Sequence, residues 1–98
     1  MRVRYSATAS ADLTGIVSYL EERNPRAAAA VGRTIETTMD RIAAFPDSAQ
    51  TTDAPGIRAA PAGRYPYLIF YLVENGEMLI VRILHGARLR PWQTNDPD

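Results

Sequence analysis

The sequence predicts a single α+β domain in the order β-α-α-β-β-β, with a helical hairpin packed on one face of a largely antiparallel sheet. Three observations predict it. Apolar residues recur at helical spacing across the first half of the chain, Asn24-Pro25 interrupts that pattern, and two apolar runs flank Asn75-Gly76 in the second half. The chain has 98 residues, 46% hydrophobic and 22% charged. That is the size of one domain, assigned to residues 1–98, with a loose polar tail expected over 93–98.

Arg2-Val3-Arg4-Tyr5 alternates and reads as a short first strand. Leu13, Ile16, Val17 and Leu20 then fall at i, i+3, i+4 and i+7, one apolar stripe of a helix that should stop near Arg23-Asn24. Ser6 or Ser10 is placed to cap its start, and Asp12 in the early turns suits the helix dipole. Asn24 is a good N-cap for a second helix, with Pro25 at the first helical position, where its missing N–H costs nothing. Ala28, Val31, Ile35, Met39 and Ile42 extend a buried stripe to about Phe45, and Pro46 ends it.

Residues 46–56 are turn and loop formers with almost no apolar content. Ile57 to Ala60 is a short, weak strand, and Tyr65 to Val73 is a strong one. Asn75-Gly76 fits a type I′ hairpin turn, because both residues tolerate positive φ, and Met78 to Leu84 returns. The last three strands form a meander. Periodicity leaves the place of the first strand open.

Composition excludes several chemistries. There is no cysteine, so disulfides and thiolate metal sites are absent, and His85 is the only histidine. No metal or other cofactor is expected. The N-terminus lacks the apolar run of a signal peptide, and no stretch approaches the ~20 residues of a membrane span. The expected location is the cytoplasm, with no membrane partner. The formal net charge of zero conceals a skew: residues 57–92 hold Arg58, Arg64, Arg82, Arg88 and Arg90 against Glu74 and Glu77.

These residues carry two readings each. The arginines are either a solvated face or a surface that pairs with carboxylate or phosphate, for which the planar guanidinium is suited. Arg82 shares parity with Ile80 and Leu84, which places it on an apolar face, where a cation is paired or lines a groove. Tyr65, Tyr67 and Tyr71 also share parity, and either pack one sheet face or line a partner groove with hydroxyls at the rim. His85 either bonds a backbone carbonyl or serves as a general acid or base.

With these residues in this order, the chain from about Val3 to Trp92 resembles the RelE/ParE toxin superfamily of type II toxin–antitoxin systems. The residues that carry the resemblance are Tyr5-Ser6, Asp12-Leu13, Ile16, Tyr19-Leu20, Asn24-Pro25 and Phe45-Pro46. Further on come Gly63-Arg64-Tyr65-Pro66-Tyr67-Leu68-Ile69-Phe70-Tyr71 and Arg82-Ile83-Leu84-His85-Gly86-Ala87-Arg88. The resemblance implies a toxin neutralised by a cognate antitoxin in a hetero-oligomeric complex. The antitoxin would wrap the Arg-rich sheet surface as a helix and extended strand. Arg58, Arg64, Tyr65, Tyr67, Arg82, His85, Arg88 and Trp92 are the expected partner-binding residues.

The superfamily holds two activities. RelE-like members cut mRNA on the ribosome, and ParE-like members, which include plasmid stabilisation proteins, inhibit DNA gyrase. For a nuclease the expected catalytic residues are Arg64, His85 and Arg88. This sequence departs from the nuclease pattern: Leu68 stands where an Arg commonly follows the aromatic, Gly86-Ala87 follows His85, and Trp92 supplies no acid–base chemistry. The resemblance therefore favours a gyrase inhibitor without catalytic residues. The ribosome-dependent endoribonuclease is the alternative, and an inactive toxin kept as an antitoxin-binding module is a third.

Overall fold

Ser6 begins the helical layer as an N-cap: its backbone is extended, and its side-chain oxygen accepts from Ala9 N at 2.9 Å. In the computed structural model, which describes residues 1–86, helix α1 runs Ala7–Arg23 and helix α2 runs Pro25–Ala44. One residue joins them. Asn24 N–H donates to Leu20 O at 2.6 Å to end α1, while its side chain accepts from Ala27 N at 3.2 Å to start α2. Pro25 occupies the first position of α2, as its spacing predicts. Asp12 lies beyond the first turn of α1 and engages another element, described below.

Among the described residues the sheet has five strands: β1 Arg2–Tyr5, β2 Gln50–Thr51, β3 Arg58–Pro61, β4 Tyr67–Glu74 and β5 Glu77–His85. They lie in the order β1-β5-β4-β3-β2, with β1 parallel to β5 and the other pairs antiparallel. Glu74 pairs with Glu77 around Asn75 (φ 51°) and Gly76 (φ 75°), the two-residue turn expected there. The strong strand starts at Tyr67 rather than Tyr65, because Tyr65 N–H turns back to Ala62 O at 3.1 Å.

Residues 46–56 are not loop throughout. Gly56 takes a φ of 79° and Thr52 Oγ1 donates to Ile57 O at 2.8 Å, which folds the chain back so that Gln50 and Thr51 pair with Ala59 and Arg58. A polar edge strand of two residues gives no hydrophobic alternation, so periodicity misses it.

All five apolar residues predicted for the stripe of α2 are buried. With Ala9, Ala60, Ala62, Ile69, Tyr71, Met78, Ile80 and Ile83 they enclose a core on the helical side of the sheet. Tyr71 belongs to it, and its hydroxyl donates to Pro46 O at 2.7 Å. Burial raises that hydroxyl above its ordinary value of 10.0, against an opposing pull from Arg58. Tyr65 and Tyr67 pack against the same core, so the shared parity of the tyrosines marks one packed face.

Candidate functional site

Strand β1 pairs with β5 only as far as Ile80, opposite Tyr5. Beyond that point no other strand among the described residues pairs with the outer edge of β5, and α1 takes its place. Ser6 N–H donates to Ile80 O and Ser6 Oγ to Val81 O, each at 2.9 Å. Asp12 accepts from Ile83 N–H at 3.0 Å and from Arg82 through Nε at 2.8 Å and Nη2 at 3.0 Å. This is a charge-assisted, two-pronged pair of the kind Arg forms with carboxylates. Those hydrogen bonds raise the Arg82 pKa, against a smaller opposing effect of burial.

Parity alone placed Arg82 on the face of Ile80, and the structure corrects this. Phe70 pairs with Arg82 while Tyr71 pairs with Ile80, so Val81 is an extra residue, a bulge in β5. Phe70 and Tyr71 are consecutive in β4 and face opposite ways, so Arg82 and Ile80 do as well. The expectation that Arg82 is paired holds, with Asp12 as its partner.

After the bulge, Ile83 enters the helical-side core and His85 pairs with Tyr67. The two rings meet edge to face, with centroids 5.8 Å apart and planes at 83°. Both residues line a groove of about 700 Å³ between α1 and β5, together with Asp12, Gly15, Ile16, Tyr19 and Leu84. A Cβ on Gly15 would meet nothing within 4 Å, which leaves that wall open. Tyr19 is 56% exposed beside it, with the Arg23 guanidinium 3.7 Å from its ring centroid.

Arg58 and Arg64 do not line this groove. Arg58, in β3, donates to Ala49 O at 2.8 Å and Asp47 O at 3.3 Å, and lies 3.6 Å from the Asp47 carboxylate. It opposes Tyr71, so Arg58 and Arg82 leave the sheet on opposite faces. Arg64 is exposed in the turn before β4, its guanidinium 5.7 Å from the Tyr65 ring centroid. Arg88, Trp92 and the tail 93–98 lie outside the described residues.

Asp12, Ser6 and Tyr19 are the residues that site prediction passed over. Asp12-Leu13 and Tyr19-Leu20 stand among the motifs that carry the resemblance, but a carboxylate inside a helix gives no sign that its partner is 70 residues away. Among the described residues there is no cluster of three or more His, Asp or Glu that could hold a metal, and no helix long and apolar enough to cross a membrane.

A family model described as the ParE toxin of type II toxin–antitoxin system, parDE, matches residues 3–90. The chain belongs to the ParE toxin family. Two curated relatives from Caulobacter vibrioides carry the other name of the superfamily. Toxin RelE2 is 34% identical over 90% of this chain and 98% of its own length, and Toxin RelE1 is 31% identical over 90% and 96%. Among solved structures, one described as a chromosomal ParDE TA system from P. aeruginosa shares the fold, with a TM-score of 0.74, 23% identity, and 85% of this chain and 92% of that one covered.

Membership in this family makes the chain the toxin component of a type II toxin–antitoxin system. Leu68, at the position where nucleases commonly carry Arg, pairs directly with Leu84 on the sheet face away from the helices. His85, whose partner Tyr67 packs against the helical-side core, belongs to the opposite face.

Proposed function

We propose that this toxin inhibits DNA gyrase, that it acts in the cytoplasm, and that a cognate antitoxin neutralises it in a hetero-oligomeric complex. The observation that carries the reading is the apolar pair Leu68–Leu84, at a position where nucleases commonly carry Arg. Cleavage by a ribose 2′-OH requires a base, an acid and cations converging on one phosphate. His85 lies on the helical side against Tyr67, while Arg82 rises from the other face and is already committed to Asp12. The face around Leu68 and Leu84 is apolar at the corresponding place. A gyrase inhibitor needs shape and contact there, not proton transfer.

The ribosome-dependent endoribonuclease, with Arg64, His85 and Arg88, is the second reading, and the names of the two Caulobacter relatives favour it. Purified gyrase decides between them. Adding the toxin should block supercoiling of relaxed plasmid, and expression without antitoxin should raise the DNA-damage response before protein synthesis falls. Unimpaired supercoiling together with codon-specific cuts in ribosome-bound mRNA would reverse the assignment.

For the antitoxin, the supporting feature is Arg64. It is exposed and forms no ion pair among the described residues, so its charge is available to an acidic partner. Arg64→Glu should weaken the complex about tenfold and make its affinity less dependent on salt, since a screened attraction is lost. An unchanged affinity and salt slope would reduce Arg64 to a solvated surface residue.

A further inference from the structure

The bulge at Val81 decides which way the end of β5 faces, and two continuations of this strand compete. If alternation ran on unbroken from Met78 and Ile80, Arg82 and Leu84 would turn toward the helices, while Ile83 and His85 would turn to the opposite face. One extra residue reverses all four. Ile83 then enters the core, Arg82 leaves it, and His85 comes to the groove beside α1.

A bulge beyond the last residue of β1 has a cost at the strand edge. It leaves Val81 C=O and Ile83 N–H directed toward the start of α1, with no strand among the described residues beside them to complete the ladder. Ser6 Oγ meets the first at 2.9 Å and Asp12 Oδ2 meets the second at 3.0 Å. The same Asp12 carboxylate takes the Arg82 guanidinium that the bulge turns out of the core, with side-chain exposures of 14% for Asp12 and 28% for Arg82. One carboxylate on α1 therefore meets two of the three groups the extra residue displaces, and Ser6 meets the third.

We propose that Asp12, assisted by Ser6, is the positioning residue that selects the bulged register of β5 and so sets the face on which His85 is presented. Asp12 acts through Ile83 and Arg82 and does not itself meet a reacting group. The inference does not depend on whether gyrase or the ribosome is the target. It makes α1 a substitute neighbouring strand, with one carboxylate standing in for the backbone acceptor that a longer β1 would supply.

The test is amide exchange and side-chain NMR on the isotope-labelled full chain carrying Asp12→Ala, Asp12→Asn or Ser6→Ala. In Asp12→Ala, exchange at Ile83 should rise about 10- to 100-fold, the range expected when a charge-assisted backbone bond is lost. The Phe70–Arg82 cross-strand contact should weaken, and the ring-current shift that Tyr67 imposes on the His85 imidazole protons should collapse. Asp12→Asn keeps an acceptor for Ile83 but loses the charge, so it should restore most of the exchange protection and the Tyr67–His85 shift. Ser6→Ala should affect Val81 and its neighbours more than His85. If Asp12→Ala fails to fold, Asp12→Asn and Ser6→Ala still decide: Asp12→Asn should keep Ile83 protected yet loosen the Phe70–Arg82 contact, and a wild-type Phe70–Arg82 contact in Asp12→Asn together with unchanged Val81 carbonyl shifts in Ser6→Ala would overturn the proposal. Faster exchange at Ile83 in Asp12→Ala with the cross-strand contact and His85 shift intact would overturn it as well, because Asp12 would then hold one amide and not the register.

Discussion

Helices α1 and α2 lie side by side, joined by one residue, yet they do different work. α2 buries six side chains, Ala28, Val31, Ile35, Thr38, Met39 and Ile42, and supplies one wall of the core. α1 buries Ala9 alone; Leu13, Ile16 and Leu20 are only half-buried, and Tyr19 stands out beside the groove. What α1 lacks in burial it replaces with directed contacts, from Ser6 at its cap and from Asp12 to Arg82 and Ile83. The difference separates a helix that holds the fold from one that shapes a surface. The groove lies along α1, the helix whose side chains are less spent on the core.

The contrast breaks first where the packing is densest. Ile42 is fully buried, and Ile42→Ala should cost about 2–5 kcal/mol in chemical denaturation, whereas Leu13→Ala on α1 should cost less than half as much. Equal losses would mean that α1 carries the core as heavily as α2. A smaller effect is expected at Gly63, in the turn that packs against α2. Its φ is 59°, and an added Cβ would come within 2.8 Å of Thr34 Cγ2, so Gly63→Ala should cost about 1–3 kcal/mol through strain and crowding. A neutral substitution would show that the turn can withdraw from α2 freely. The smallest effect belongs to α1. Tyr19→Ala should shift stability by no more than about 0.5 kcal/mol, as is usual for an exposed site, while lowering affinity for the antitoxin or the target if the groove is a recognition surface. Full retention of both binding activities would remove the groove from the account.

The same contrast shows what could be seen in the sequence. The stripe of α2, the Asn24-Pro25 junction and the Asn75-Gly76 hairpin are local signals, each decided by a few neighbouring residues, and the structure follows them. The parallel pairing of β1 with β5 joins residues about 75 positions apart, and no local rule specifies it. The parity rule correctly grouped the tyrosines but misplaced Arg82, because it counts residues and a bulge adds one. The candidate site suffered most from this. His85 and Tyr67 stand out by residue type, yet their meeting depends on a register that the bulge sets, and nothing local in the sequence gives Asp12 a role beyond the helix dipole.

A toxin that acts by contact and not by proton transfer should survive His85→Gln. A positioned general acid or base is worth roughly 10²–10⁴ in rate, so its removal from a nuclease would abolish toxicity at ordinary expression. The variant should remain at least partly toxic when expressed without antitoxin, with intact ribosome-bound mRNA and continued loss of gyrase supercoiling in the purified system. Codon-specific mRNA cuts in cells expressing the wild-type toxin, disappearing together with toxicity in a folded, antitoxin-binding His85→Gln protein, would contradict the claim and identify a ribosome-dependent endoribonuclease.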